Sequence, residues 1–113
     1  MPKMLQIESR FGSRYNIQFR IQEYENGNTA IIMDCFNYCG MYEGVYGKLT
    51  VNLGNKLDPE YGFVDINNLG DEILEWIAAN ELGEDTGIRD KTVFVTYPLY
   101  KFNLDKIREY GRS

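Results

Sequence analysis

The stretch Tyr61–Gly83, YGFVDINNLGDEILEWIAANELG, most constrains the fold, because it holds the only clear amphipathic helix in the middle of the chain. Most of the other segments alternate apolar and polar residues, as strands do. Ile73, Trp76 and Ile77 recur at three- and four-residue spacing, which predicts one helix over Asp71–Leu82 with an apolar face. So short a helix is unstable alone, so its apolar face must pack on a sheet. We therefore expect Trp76 to be buried, and Trp76→Ala to cost roughly 3–5 kcal/mol of stability.

The residues before this helix, Asp65, Asn67 and Asn68, have the chemistry of a turn and a helix cap. Short polar side chains accept hydrogen bonds from the free N–H groups of a first helical turn. A polar binding site is the alternative use of the same three residues. At the other end of the helix, Gly83 is predicted to take the left-handed conformation that often closes a helix.

Most of the chain before the helix has the period-two alternation of half-buried strands. The predicted strands are 4–9, 15–22, 29–36 and 46–53, and the pair Asn26-Gly27 predicts a type I′ hairpin turn. Residues 37–44 are a predicted loop. After the helix, 84–91 is predicted to be a polar loop and 92–96 a strand. That strand should end or become a sheet edge at Pro98, because proline cannot donate to a ladder.

These patterns together predict an α+β fold in a single domain of residues 1–113. An antiparallel meander of about four to five strands carries the central amphipathic helix on one face, and a short helix over 104–110 ends the chain. A chain of 113 residues is long enough to build a core without metal or disulfide staples.

Charge and hydropathy argue against two classes of partner, nucleic acid and membrane. The net charge of −5, from 12 Lys and Arg against 17 Asp and Glu, disfavours direct binding to nucleic acid and suits a protein with a basic surface. The sequence has no apolar run of about 18 residues, which a membrane span requires. The N-terminus lacks the apolar core of a secretory signal, so we expect the protein in the cytoplasm.

The sequence offers no catalytic or metal-binding constellation. It contains no histidine, the usual base for an activated nucleophile. Cys35 and Cys39 are too few for a zinc site, and their C-x-x-x-C spacing differs from the C-x-x-C redox motif. We therefore expect no catalytic residue, no metal, no cofactor and two free thiols.

Aromatic residues in two segments are candidates for protein contact, because Tyr and Met are enriched at interfaces. The candidates are Tyr38, Met41, Tyr42 and Tyr46 in the first segment and Tyr97 and Tyr100 in the second. Packing into the core is the alternative use of both groups.

Three segments carry a family resemblance: KLTVNL at 48–53, GFVDINN at 62–68 and TYPLYKFNL at 96–104. With the L-G-x-x-T-G pattern at 82–87, they resemble small domain-of-unknown-function proteins carried by gut Firmicutes, often on mobile or conjugative elements. That family carries no assigned activity, so the resemblance implies a biological setting and no mechanism.

The setting implies a protein-binding accessory or inhibitor factor, of anti-CRISPR or antirestriction type, with a host defence protein as its partner. A different class of function is a small-molecule-binding accessory protein or enzyme that uses a pocket between the helix and the sheet. A structural accessory protein of plasmid maintenance is a third hypothesis.

Overall fold

The structure of the protein, a computed structural model, describes residues 3–9 and 12–111. These residues form two four-stranded sheets, with strand orders β1-β2-β3-β4 and β5-β6-β8-β7, and three short helices. The elements are β1 (Leu5–Glu8), β2 (Arg14–Glu23), β3 (Thr29–Phe36), β4 (Tyr42–Lys48), β5 (Thr50–Val51), β6 (Tyr61–Val64), α1 (Ile66–Leu69), α2 (Glu72–Ala79), β7 (Gly83–Lys91), β8 (Thr96–Phe102) and α3 (Leu104–Glu109).

The mixed fold and its antiparallel pairing are confirmed, but the expectation of one meander carrying one central helix is wrong. The chain changes sheet at Leu49, within the single strand predicted over 46–53. The Leu49 N–H donates to the Ile31 carbonyl in β3 at 2.8 Å, and its carbonyl accepts from the Asp65 N–H at 3.0 Å. One residue therefore joins the two sheets.

The main core combines apolar side chains from both sheets and from helices α2 and α3. A second, smaller cluster forms on the opposite face of the second sheet. Strand alternation explains the division, because Tyr100 and Phe102 of β8 point to the main core whereas Tyr97 and Leu99 point to the small cluster. Leu53 and Leu57, from the connection before β6, pack against this small cluster.

The first hairpin turn differs in type from the prediction. The Tyr24 N–H donates to the Asn28 carbonyl at 2.8 Å, so three residues form the loop rather than two. Gly27 has a φ of +85°, whereas Asn26 keeps a negative φ. A type I′ turn needs positive φ at both central positions, so the Asn26-Gly27 pair instead ends a longer turn.

Two predictions for the C-terminal half are wrong. Residues 84–91 form β7 rather than a loop, and the predicted strand 92–96 is mainly a turn that joins β7 to β8. Strand β7 lies at a sheet edge and is mostly exposed, so it lacks the apolar alternation that marks a half-buried strand.

Strand β8 does not end at Pro98, since it runs from Thr96 to Phe102, but on the side of β6 it is an edge at that residue. Its pairing with β6 covers Leu99 to Lys101 and leaves out Pro98. Pro98 pairs with Arg89 of β7 alone, so the proline lies where β8 is locally an edge.

The predicted helix 71–82 is shorter in the structure, where α2 spans Glu72–Ala79. A one-turn helix, α1, precedes the eight-residue α2, and Gly70 separates them. Ile73 and Ile77 of α2 are buried, but Trp76 is only half-buried. Its ring lies 6.1 Å from that of Phe19, and its Nε1–H donates to the Gln6 carbonyl in β1 at 2.8 Å.

We expect Trp76→Ala to lower the free energy of unfolding by about 2–3 kcal/mol, less than a fully buried ring would cost, because water already reaches part of the indole. Urea denaturation followed by circular dichroism measures the change, since the variant lacks the only tryptophan. Trp76→Phe is the control that keeps most of the packing and loses only the N–H donor. A loss for Trp76→Ala below about 1 kcal/mol would contradict a packing role.

Helix α2 closes through Glu81, not through Gly83 as predicted. The Leu82 N–H donates to the Ile77 carbonyl at 3.0 Å and the Glu81 N–H to the Ala78 carbonyl at 3.1 Å. This is the Schellman pattern, with Glu81 at the left-handed position and a φ of 57°. Leu82 and Ile77 are both fully buried, so their packing holds Glu81 in this conformation.

Glu81→Gly should raise the free energy of unfolding by about 0.5–1 kcal/mol, because glycine adopts the left-handed region without a steric penalty. Thermal and urea unfolding measure the gain. Glu81→Ala is the matched control, since alanine removes the carboxylate and keeps the Cβ. Equal stability of the two variants would show that the backbone at this residue is unstrained.

Candidate functional site

The tip of the β3–β4 hairpin is a rigid loop built around Asn37. The Asn37 Oδ1 accepts the backbone N–H groups of Cys39 at 2.9 Å and Met41 at 3.0 Å. The Asn37 N–H donates to the Met41 carbonyl at 2.9 Å, and its carbonyl accepts from Gly40, whose φ is +83°. These bonds close the loop by residue 41, so it is shorter than the predicted loop 37–44.

This tip and the adjoining strand expose four large side chains, which we call the tyrosine–methionine surface. The exposed fractions are 94% for Tyr38, 67% for Met41, 46% for Tyr42 and 52% for Val45. Tyr46 is different, because it is half-buried, packs against the main core and makes an edge contact with Tyr15 at 5.7 Å.

Sequence reasoning named three of the four members of this surface and missed Val45. Strand β4 has register shifts against β3 between Met33 and Asp34 and between Cys35 and Phe36. Such bulges break the alternation of side chains along a strand, so sequence spacing alone does not show which way Val45 points.

An ion pair lies in the sheet behind this surface. Arg20 donates to both carboxylate oxygens of Asp34, at 2.7 and 3.1 Å, and the Asp34 side chain is fully buried. The hydrogen bond to Asp34 raises the pKa of Arg20, against the opposing effect of desolvation. Asp34 is the register partner of Val45, so this bidentate pair ties β2 to β3 beside the strand that carries Val45.

Tyr97 and Tyr100 do not join the tyrosine–methionine surface. Their exposed fractions are 7% and 6%, and they lie on opposite faces of β8. Burial, with a further contribution from Asp85, raises the pKa of Tyr100. Both side chains therefore serve packing, the alternative use that the sequence left open.

The two thiols are free and have different surroundings. Cys39 is exposed at the hairpin tip, whereas Cys35 is buried in the main core. Burial, with the nearby charge of Glu43, raises the pKa of the Cys35 thiol. Cys39 therefore offers a selective labelling site within the tip.

Among the predicted cap residues, Asp65 occupies the N-cap of α1. Its two carboxylate oxygens accept the backbone N–H of Asn68 at 3.3 Å and the Asn68 Nδ2 at 2.8 Å. Asn67 and Asn68 lie inside α1 and are exposed, so Asn68 donates to the cap rather than forming it.

A cleft of about 840 Å³ lies between the end of α2, the start of β7, the end of β8 and the start of α3. Apolar atoms come from Ala78, Tyr100, Phe102 and Leu104, and the charged lining is Glu60, Glu81, Glu84, Asp85, Asp105 and Lys101. These residues are far apart in the sequence, so no local pattern predicted the acidic cleft, the name we give to this site.

Asp85, at the edge of the acidic cleft, already has a partner. Arg89 donates to its two carboxylate oxygens at 2.8 and 2.7 Å. The bond from Arg89, together with the Gly87 N–H, lowers the pKa of Asp85 to about 2. Asp105 forms an ion pair with Arg108 at 3.6 Å, so among the described residues the carboxylates of Glu60, Glu81 and Glu84 remain for a cationic group.

Within residues 3–9 and 12–111, no group of three or more His, Cys, Asp and Glu side chains is arranged to hold a metal ion. The same part of the chain contains no helix that is long and apolar enough to cross a membrane.

The family model described as Domain of unknown function (DUF4313) matches residues 18–113. The chain belongs to this family. The matched region contains the tyrosine–methionine surface, the acidic cleft and the β7–β8 hairpin. No curated protein and no solved structure matches the chain.

Proposed function

We propose that the protein is a protein-binding factor and that the tyrosine–methionine surface is its contact. The observation that supports this is the exposure of Tyr38 and Met41 on a hydrogen-bonded tip, with Tyr42 and Val45 beside them. Exposed apolar patches on small proteins mark interaction sites. A loop already held in one conformation loses little entropy when it binds, so these side chains can act as anchors.

The net charge of −5 favours a partner with a basic surface, as nucleic-acid-binding enzymes have. The resemblance to proteins of Firmicutes mobile elements makes a host defence nuclease the first partner to test, which corresponds to an anti-CRISPR or antirestriction role in the cytoplasm. Nucleic acid itself is disfavoured by the same charge.

The test uses Tyr38→Ala combined with Met41→Ala against a panel of purified restriction and CRISPR nucleases. We expect wild type to bind one of them and the double variant to bind at least about 100-fold more weakly, because exposed anchors carry most of an interface's affinity. Ile88→Ala is the matched control, since Ile88 is 57% exposed on the other sheet.

Cys39 allows a cross-linking test of where the partner binds. A photo-crosslinker attached to this exposed thiol should join the chain to the nuclease, and Cys39→Ser should abolish the cross-link. A nuclease complex whose affinity is unchanged in the double variant and which gives no cross-link would overturn the proposal for this surface.

The alternative function, a small-molecule site between helix and sheet, has the acidic cleft in its favour. Its volume of about 840 Å³ lies in the range of ligand pockets, and its carboxylates suit an organic cation. A melting-temperature rise with a short aliphatic diamine, lost in Glu84→Gln, would support this function instead.

A further inference from the structure

The turn between β7 and β8, Thr92–Val95, exposes two apolar side chains and is called here the Val–Phe tip. Val93 is 84% exposed and Phe94 92% exposed. The Thr92 N–H donates to the Val95 carbonyl at 2.8 Å, and the Thr92 Oγ1 accepts from the Val95 N–H at 3.2 Å. The turn is thus well ordered, yet its two central side chains contribute nothing to the core.

The residues at the centre of this turn differ from the usual two-residue hairpin pair. Two-residue hairpin loops favour Asn-Gly or Asp-Gly, because the preferred turns need positive φ. Val93 and Phe94 both keep negative φ. At negative φ neither side chain is strained, but both are exposed to water without a folding benefit, which points to a binding role.

The Val–Phe tip is also basic on one side. Lys91 is exposed directly before Thr92, and its ammonium makes no ion pair with the residues that the structure describes. Two apolar side chains beside a free ammonium fit a site that has an apolar floor and an acidic rim. The acidic cleft has this composition.

The tip cannot reach the acidic cleft of its own chain, because the two lie at opposite ends of the β7–β8 hairpin. The cleft contacts Gly83 and Phe102, and the seven residues of β8, against which β7 is bulged, separate it from the tip by about 20 Å at the usual rise per residue. Two copies that lie antiparallel about a twofold axis bring each tip to the other copy's cleft.

We infer that the protein forms a twofold dimer in which the Val–Phe tip of each copy occupies the acidic cleft of the other. Ile88, which is 57% exposed, lies near the middle of β7 and meets its own copy close to the axis. The register shift between Asp85 and Arg89 interrupts the edge of β7, so side chains form this contact rather than a continued ladder.

This dimer leaves the proposed protein-contact surface free. Asn55 connects the end of the molecule that carries the tip to the start of β3. Its side chain donates to Asp90 of β7 at 2.8 Å, and its carbonyl accepts from the Asn28 side chain just before β3. The tyrosine–methionine surface lies at the other end of β3, beyond Phe36. The dimer and the proposed function therefore use different surfaces, and a result against one does not contradict the other.

Sedimentation velocity across about 1 µM to 1 mM tests the dimer, since weak symmetric contacts dissociate in this range. We expect a concentration-dependent shift from monomer to dimer for wild type. Val93→Asn combined with Phe94→Gly should stay monomeric while its melting temperature stays close to that of wild type, because both replaced side chains are exposed and lie outside the core. The stability readout separates lost contact from lost folding.

A charge exchange tests which surfaces meet. Lys91→Glu alone and Glu84→Lys alone should each weaken the dimer by about tenfold or more. An equimolar mixture of the two variants should form a heterodimer of wild-type strength, because each tip then faces a rim of opposite charge. A mixture of Lys91→Glu with Glu75→Lys is the control, since Glu75 lies on α2 outside the acidic cleft.

Three results would overturn the inference. They are a wild type that stays monomeric throughout the range, a dimer unaffected by the Val93 and Phe94 changes, and a dimer lost only with Tyr38→Ala. A monomeric wild type whose melting temperature rises with a short diamine would assign the acidic cleft to a small cation instead.

Discussion

Phe19→Ala will lower the free energy of unfolding by about 3–5 kcal/mol, the range for removing a large aromatic side chain from a packed interior. Phe19 is 1% exposed and is among the largest fully buried side chains. Its ring packs towards Trp76 of α2, and its N–H donates to the Tyr110 carbonyl at 2.9 Å. The residue therefore links the first sheet to α2 and to the end of the chain.

Urea denaturation followed by circular dichroism and tryptophan fluorescence measures this loss. The fluorescence of Trp76 should shift to the red in the native variant, because the cavity admits water beside the indole. Phe19→Leu keeps most of the volume and should cost less than about 1.5 kcal/mol. If Phe19→Ala cost no more than Phe19→Leu, the core around β2 would not be packed as described.

Asn28→Ala will lower the free energy of unfolding by about 2–4 kcal/mol, a large effect for a polar side chain, because several buried groups lose their partners at once. Asn28 is 4% exposed. Its Nδ2 donates to the Asn52 Oδ1 at 3.2 Å and to the Asn55 carbonyl, and its Oδ1 accepts the Leu57 N–H at 2.9 Å. This side chain holds the segment that covers the small cluster.

Native-state hydrogen exchange gives a local readout besides global stability. The Leu57 amide should exchange faster in Asn28→Ala, whereas Asn28→Asp keeps an acceptor for it and should protect it better. Asn67→Ala is the control for removing an asparagine side chain at an exposed position, with an expected change within about 0.5 kcal/mol. Equal losses for Asn28→Ala and Asn67→Ala would contradict the network.

The first three strands and the final helix were predictable because their side chains alternate or recur around one buried face. Segments 15–22 and 29–36 correspond closely to β2 and β3, and 104–110 to α3. Strand β7 was missed because both its faces are mostly exposed, so nothing in its sequence marks a buried side. The Val–Phe tip was predicted to be a strand because the sequence does not distinguish apolar residues that are exposed from those that are buried.

The candidate surface shows the same limit. Tyr38 and Tyr100 belong to the same residue type and occur in equally aromatic segments, yet one is 94% exposed and the other 6%. The residue type sets how much apolar surface a tyrosine side chain is able to bury, but its position in the fold determines whether that surface is buried. The sequence thus identified Tyr38, Met41 and Tyr42 as candidates but did not separate them from Tyr97 and Tyr100.

The sequence by itself determined the mixed fold class, the first three strands and the final helix, because these depend on local periodicity and turn chemistry. Only the tertiary structure decided that Leu49 passes the chain into a second sheet, since that depends on backbone bonds to Ile31 and Asp65. It alone assembled the acidic cleft from residues between Glu60 and Asp105. Contacts between distant segments carry no local pattern, and such contacts form the acidic cleft.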